Sequence, residues 1–407
     1  MNMPRRDFAS NFSEPLPDIE VPEAHISLRS VIRYIKGLLS SNSHIEGEAS
    51  MRGDNLHLIV RVTKDGSPPS QPDIRTIVDK DTNAVLLEAA KHILRAIEPY
   101  ILASYFYSTG DQESALVLIQ YCLYHDPPED DWWAYNLWGV ILYDGGYYDD
   151  AIEMYRKAIN IYPGNQFAVA YSNWALAAMK KEDSNDADEK CKIALSIDPS
   201  SPSSHNACGL VKRGEKKWDD AEAEFRQAVT LSPDFAAAYN SWGNLLEDRP
   251  DRKDYRKAKT MFLLAIEIDP DYSDAYNNLG DALENLQDLD AAVTMYRKAS
   301  ELDPSSDLSS VNLGDVLAKQ RDFGGAAASY KQALERISKS AQNSAKRDER
   351  QAPVYIKLCD VSLDQRDFGK ASEFLRKAFS LDRKVKLSEK SKDFNRKSKE
   401  SKASSRL

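Results

Sequence analysis

The sequence predicts a mainly α fold: an α-solenoid of about eight helix-turn-helix repeats, with a small helix and β-hairpin cap at its N-terminal end. Three observations carry that expectation. Small residues return at one fixed series of intervals, large apolar residues fill the gaps at helical spacing, and prolines stand where one unit would give way to the next. The composition fits, with 42% hydrophobic and 29% charged residues and no apolar run long enough to cross a bilayer.

From Gly139 the chain runs twelve residues to Ala151, seven to Ala158 and five to Pro163. The same series recurs as Gly209, Ala221, Ala228, Pro233 and as Gly280, Ala292, Ala299, Pro304. Gly314, Ala326 and Ala333 repeat it without the proline, and Ala175, Ala187, Ala194, Pro199 is a degenerate copy. Between Gly243 and Ala258 three residues are added, ahead of Ala265 and Pro270. They fall in EDRPDRKDYRK, whose Pro250 and charges mark an exposed turn.

Two short antiparallel helices per unit explain the pattern. Where helices cross closely a bulky side chain would hold the backbones apart, so Gly or Ala is required there. Tyr155, Phe225 and Tyr296 fill the space beside the crossings. The proline ends the second helix, because the residue before it avoids the α region. One such hairpin cannot bury its apolar face alone, so the units must stack.

The stretch AYNNLGDALENLQDLDAAVTMYRKASELDPSS, Ala275 to Ser306, resembles the tetratricopeptide repeat, whose period is about 34 residues. With small residues at repeat positions 8, 20 and 27 and proline at 32, eight units follow: 96–129, 132–165, 168–201, 202–235, 236–272, 273–306, 307–340 and 352–385. The resemblance implies a right-handed solenoid. The first unit departs from the pattern, with Ala103, Ala115, Cys122 and Pro127 at the marked positions. The last departs further, with Cys359 for Gly and Arg383 for Pro, as expected of terminal units that cap a stack.

Outside the repeats the signals are weaker. Residues 1–26, with four prolines, read as an extended arm. Residues 27–91 read as a small α+β cap with a linker. Within it ISLRSVIRYIKGLLSS has helical spacing, HIEGEASMRGDNLHLIVRV reads as two strands about Gly53-Asp54-Asn55, GSPPSQPD is the linker, and a helix is expected from Asn83. Repeats one to seven fill 96–340. Residues 341–351 are a linker or a helix extension, and 352–385 a divergent final repeat. The basic tail 386–407 lacks an apolar face and is expected to be disordered.

Function is narrowed mainly by exclusion. A net charge of −10 disfavours nucleic acid as the main partner of the whole chain. The N-terminal arginine pair has no apolar stretch after it and four cysteines are too few for a disulfide framework, so the expected location is cytoplasmic. Six histidines are scattered, no metal-ligand spacing or phosphate-binding glycine loop occurs, and Cys122, Cys191, Cys208 and Cys359 fall on packing positions. No catalytic residue, metal or cofactor is expected, and the chain is not expected to be an enzyme. A remote alternative is an enzyme's regulatory subunit. Arg52-Gly53-Asp54 is explained by a hairpin turn rather than by adhesion.

What the resemblance offers is a groove. In tetratricopeptide arrays the first helices line the concave face, with positions 2, 5, 9 and 12 pointing into it. Position 5 is Asn136, Asn206, Asn240 and Asn277; position 9 is Asn244, Asp281, Asp315 and Asp360; Trp133 is the tryptophan at position 2. Asparagines can grip an extended backbone, and an acidic row favours Lys or Arg on the ligand. The expected function is a protein–protein interaction scaffold or adaptor that binds an extended or helical protein segment, with no small-molecule substrate. The opposing reading is that these residues merely keep an exposed face soluble. A chaperone-tail clamp is disfavoured, because the late groove carries Asn and Asp where such a clamp needs cations. The basic tail is open to three readings: a solvated terminus, an anchor to anionic lipid or nucleic acid, or a lid over the acidic groove. The second would make the protein a membrane-peripheral assembly factor, with the helix at 26–41 as another possible contact.

Overall fold

The computed structural model describes residues 43–404 apart from 53–54, 65–72, 80–87, 89–90, 93–94, 96–98, 126–130, 162–167, 251–252 and 341–343. The expected arm and the helix at 26–41 lie outside the described residues, as does most of the helix expected from Asn83. The chain divides into two units, Met1–Lys181 and Glu182–Leu407.

The first unit opens with an antiparallel sheet of β1 (Ser43–Arg52), β2 (Asn55–Lys64) and β3 (Asp73–Asp79), in that order. Arg52 faces Asn55, so β1 and β2 are joined by two residues, as the sequence suggests. The third strand was not expected. Its sequence, DIRTIVD, is a β-branched run flanked by Pro72 and Lys80, a signal hidden by the prolines before it. Then come α1 (Pro99–Ser108), α2 (Gln112–His125), α3 (Trp132–Asp144), α4 (Tyr148–Ile161) and α5 (Ala168–Lys180).

The second unit holds α6 (Ser184–Ile197), α7 (Pro202–Gly214), α8 (Trp218–Leu231), α9 (Ala236–Asp248), α10 (Tyr255–Ile268), α11 (Ser273–Asn285) and α12 (Leu289–Leu302). It continues with α13 (Leu308–Lys319), α14 (Phe323–Ser340), α15 (Ser344–Asp364), α16 (Phe368–Leu381) and α17 (Glu389–Ser404). Both units are runs of packed antiparallel helices, the mainly α repeat fold that the sequence predicts.

Local chemistry sets the hairpins. Four second helices start on capping aspartates: the carboxylates of Asp183, Asp254, Asp288 and Asp367 accept backbone N–H groups three residues on, whereas α8 starts after Lys217 without a side-chain cap. The turn before them needs one residue in the left-handed region. Gly110 and Gly146 fill it at φ 81°, but Lys216, Gln287 and Arg321 adopt φ of 61–65° without being glycine. The small residues do what their spacing implies. A Cβ on Gly280 would lie 2.5 Å from Tyr296 Cε1, and one on Gly209 would lie 2.6 Å from Phe225 Cε1. Each glycine thus makes room for the buried ring of its own hairpin. All four cysteines are buried, as expected.

Two expectations about the C-terminal end are corrected. Residues 344–351, expected as a linker or an extension of the preceding helix, form the first turns of α15. The tail, expected to be disordered, is helical over Glu389–Ser404. Its apolar anchors are few and dispersed: Val385 is buried, while Leu387 and Phe394 pack against the core of the second unit. Polar ties complete the docking. Ser391 is fully buried and lies 34 residues after Lys357, so α17 takes the place of a next unit's first helix.

Candidate functional site

Contacts between successive first helices locate the face on which a ligand was expected. In the first unit, Tyr100 meets Trp133 edge-on at 5.5 Å, and Tyr107 donates its hydroxyl to Asp144 at 2.6 Å. Asn173 donates to Asn136 at 3.2 Å. Trp133 is half-buried against the core of the first two hairpins. Burial and the Asp144 carboxylate push the Tyr107 phenol well above its ordinary range, so it stays a donor.

The second unit repeats the stitch. Asn278 donates to Asn240 at 2.9 Å, and Asn312 to Asn277 at 3.2 Å and to Asp281 at 3.3 Å. Lys357 holds both oxygens of Asp315, at 2.7 and 2.6 Å. Ser391 of α17 donates to Asp360 at 2.5 Å, and Ser388 just before that helix adds a second bond at 2.6 Å. Apart from Ser388, position 6 of one unit, or its equivalent on α17, reaches back to position 5 or 9 of the unit before.

This corrects the expected role of the polar rows. Asn240 and Asn277 are only 7% and 5% exposed, and they join helices rather than face solvent. Asp281 and Asp315 also accept the hydroxyls of Tyr296 and Tyr330, at 2.6 and 2.7 Å. Where the buried ring is Phe225 or Phe262, which has no hydroxyl to satisfy, the corresponding position is Leu210 or Asn244. Sequence reasoning missed the other half of each bond, position 6. The readable signal was Asn173, Asn278 and Asn312 recurring beside the position-5 row.

Within the second unit, Asn206 is the asparagine the stitch leaves without a partner. The residue equivalent to Asn312, one unit after Asn206, is Ser241, and the buried Oδ1 of Asn206 accepts no hydrogen bond. At position 12 of the next unit, Glu247 has a buried Oε1 without a partner. Burial first, then the charges of Asp281 and Asp248, push the Glu247 carboxyl up to about 8, against relief from Lys253 and Arg213. Asn244 is half-exposed on the same helix.

Beyond it α11, α13, α15 and α17 enclose a cleft of about 460 Å³. Its walls carry the carboxylates Asp281, Glu284, Asp315, Asp360 and Asp364. Three ammonium groups oppose them, Lys319 on Glu284, Lys357 on Asp315 and Lys390 on Asp364. Burial raises the Asp281 pKa despite the Tyr296 hydrogen bond. Among the described residues no group of His, Cys, Asp or Glu is arranged to hold a metal ion, and no helix is long and apolar enough to cross a membrane.

Family models agree with the repeat reading. Residues 132–165 and 273–306 each match a tetratricopeptide repeat family model. No curated protein matches the chain. Among solved structures, one described as a functional characterisation of pilF from Pseudomonas aeruginosa is 21% identical, with a TM-score of 0.46, covering 57% of this chain and 99% of that one. A structure of PilW, described as a widely conserved type IV pilus biogenesis factor, is 19% identical with a TM-score of 0.47, covering 56% and 98%. The C-terminal part of a TPR repeat-containing protein from Cytophaga hutchinsonii is 16% identical with a TM-score of 0.43, covering 63% and 98%.

Proposed function

From the premise that this chain is a tetratricopeptide repeat protein, and hence an interaction scaffold, we propose that it binds an extended, cation-bearing protein segment on the first helices of its second unit. The observation that carries the reading is the gap in the stitch. Leaving a buried acceptor unsatisfied costs about 1–3 kcal/mol, and Asn206 and Glu247 both carry that cost, whereas Asn240, Asn277 and Glu284 at the same repeat positions have donors within the protein. A ligand backbone N–H on Asn206 and a Lys or Arg near Glu247 would recover it. Asn244 offers a donor and an acceptor between them, and the acidic cleft extends the same preference. The rows of Asn and Asp serve this function indirectly, by fixing the helices that present the gap. A cytoplasmic setting accords with the reading and remains part of the proposal.

Fluorescence anisotropy of the full-length protein with two labelled peptides of equal length tests it, one alternating Lys and Ser, the other Glu and Ser. The cationic peptide is expected to bind and the acidic one not. Asn206→Ala/Asn244→Ala is expected to weaken binding roughly 5- to 30-fold without lowering the thermal midpoint. Equal affinity for both peptides, or no effect of the double substitution, would refute it.

A further inference from the structure

The segment joining α16 to α17, with the outer side of α17, makes a cationic edge on an acidic protein. Arg383, Lys384 and Lys386 are exposed on either side of buried Val385. Their backbone is fixed: the Lys384 amide donates to Asp382 Oδ1 at 2.7 Å and the Val385 amide to the Asp382 carbonyl at 3.3 Å. An ordered segment therefore presents three cations that, among the described residues, have no ion-pair partner. The charge continues along α17, where Glu389 and Asp393 are answered locally. Glu389 holds Lys392 at 2.6 Å, and Asp393 holds Arg396 at 2.6 Å and Lys397 at 2.7 Å.

An apolar group stands against α17, at the opposite end of α16 from Arg383. Phe368, at the start of α16, is 58% exposed and stacks on Phe394 of α17, with ring centroids 6.2 Å apart and planes 15° apart. Cations draw a surface toward anionic headgroups, and an aromatic ring left in water can enter the boundary between headgroup and acyl chain. The net charge of −10 does not prevent this, because salt confines the repulsion to about 8–10 Å and the edge itself is what comes close.

We propose that this edge docks the protein, reversibly, on an anionic lipid surface. Nucleic acid fits less well. A strand-binding track presents a series of stacking rings along its groove, whereas this edge has one exposed ring. Its cations are mostly lysines, point charges without the planar fork that reads phosphates or bases in pairs. The inference is independent of the groove reading, since Arg383, Lys384, Lys386 and Phe368 take no part in it.

The test is flotation of the full-length protein with two kinds of vesicle, phosphatidylcholine alone and phosphatidylcholine with phosphatidylserine. Wild type is expected to float with the second only, and to be released by high salt. Arg383→Glu/Lys384→Glu/Lys386→Glu, with an unchanged circular dichroism spectrum, is expected to lower vesicle affinity on the order of 100-fold. Phe368→Ser is expected to weaken flotation several-fold while leaving its salt dependence. Absence of flotation, equal flotation of the triple variant, or tighter binding to a single-stranded oligonucleotide than to the anionic vesicles would overturn the proposal.

Discussion

Glu247 shows how one side chain ties stability to the face it lines. In the folded protein its carboxyl is pushed up to about 8, from the usual 4.5, by burial and by Asp281 and Asp248. Between those two values the folded chain keeps a proton that the unfolded chain has lost. The native state is therefore penalised progressively as pH rises through that window, and below it the group is neutral in both states. Glu247→Gln removes the titration while keeping the shape. Thermal unfolding is expected to show almost no change in midpoint at pH 5 and a clear rise at pH 9. A rise of equal size at both pH values would mean that the carboxyl is already ionised in the folded state.

At the scale of elements, α17 is held by a small set of contacts. Its Ser391 hydroxyl lies 3.6 Å from the Sγ of Cys359 and its Phe394 stacks on Phe368, while Lys390 pairs with Asp364. Cys359 is wholly buried under it. Ending the chain after residue 385 is expected to lower the thermal midpoint by a few degrees, roughly the effect of 1–2 kcal/mol in a domain of this size. It should also make Cys359 reactive toward an aromatic disulfide reagent under native conditions. Mass spectrometry of the labelled thiols separates this cysteine from the other three, and continued protection of Cys359 would show that α17 does not seal the final hairpin.

At the scale of the whole molecule, the chain is a series of hairpins whose stability is a sum of local terms and neighbour interfaces. Damage should stay local. Gly280→Ala places a methyl carbon 2.5 Å from a ring atom of Tyr296, whose hydroxyl is tied to Asp281 and cannot swing away freely. A cost of about 1–3 kcal/mol follows. Hydrogen exchange is expected to quicken in α11, α12 and the adjoining hairpins while α3 and α4 keep wild-type protection. Uniform quickening along the chain would instead indicate all-or-none unfolding.

The repeat fold was legible in the residues because its causes are local. A small residue at each close crossing, joined in most units by an aromatic ring beside it and an aspartate at the start of the second helix, acts within one hairpin, as Gly280, Tyr296 and Asp288 show. The strand at 73–79 and the helix at 389–404 were not, since each depends on a partner surface that its own composition does not announce. The direction of the polar side chains was equally hidden. Asn240, Asn277 and Asn206 share one repeat position, yet the first two are spent on the next helix and the third has an unpartnered oxygen. That difference is decided by whether the residue one unit later is Asn278, Asn312 or Ser241. The sequence alone determined which units form and where they bend, because helix propensity, capping and close packing act within one hairpin. Only the tertiary structure decided which side chains remain for a partner, because a hydrogen bond between units needs both ends in register.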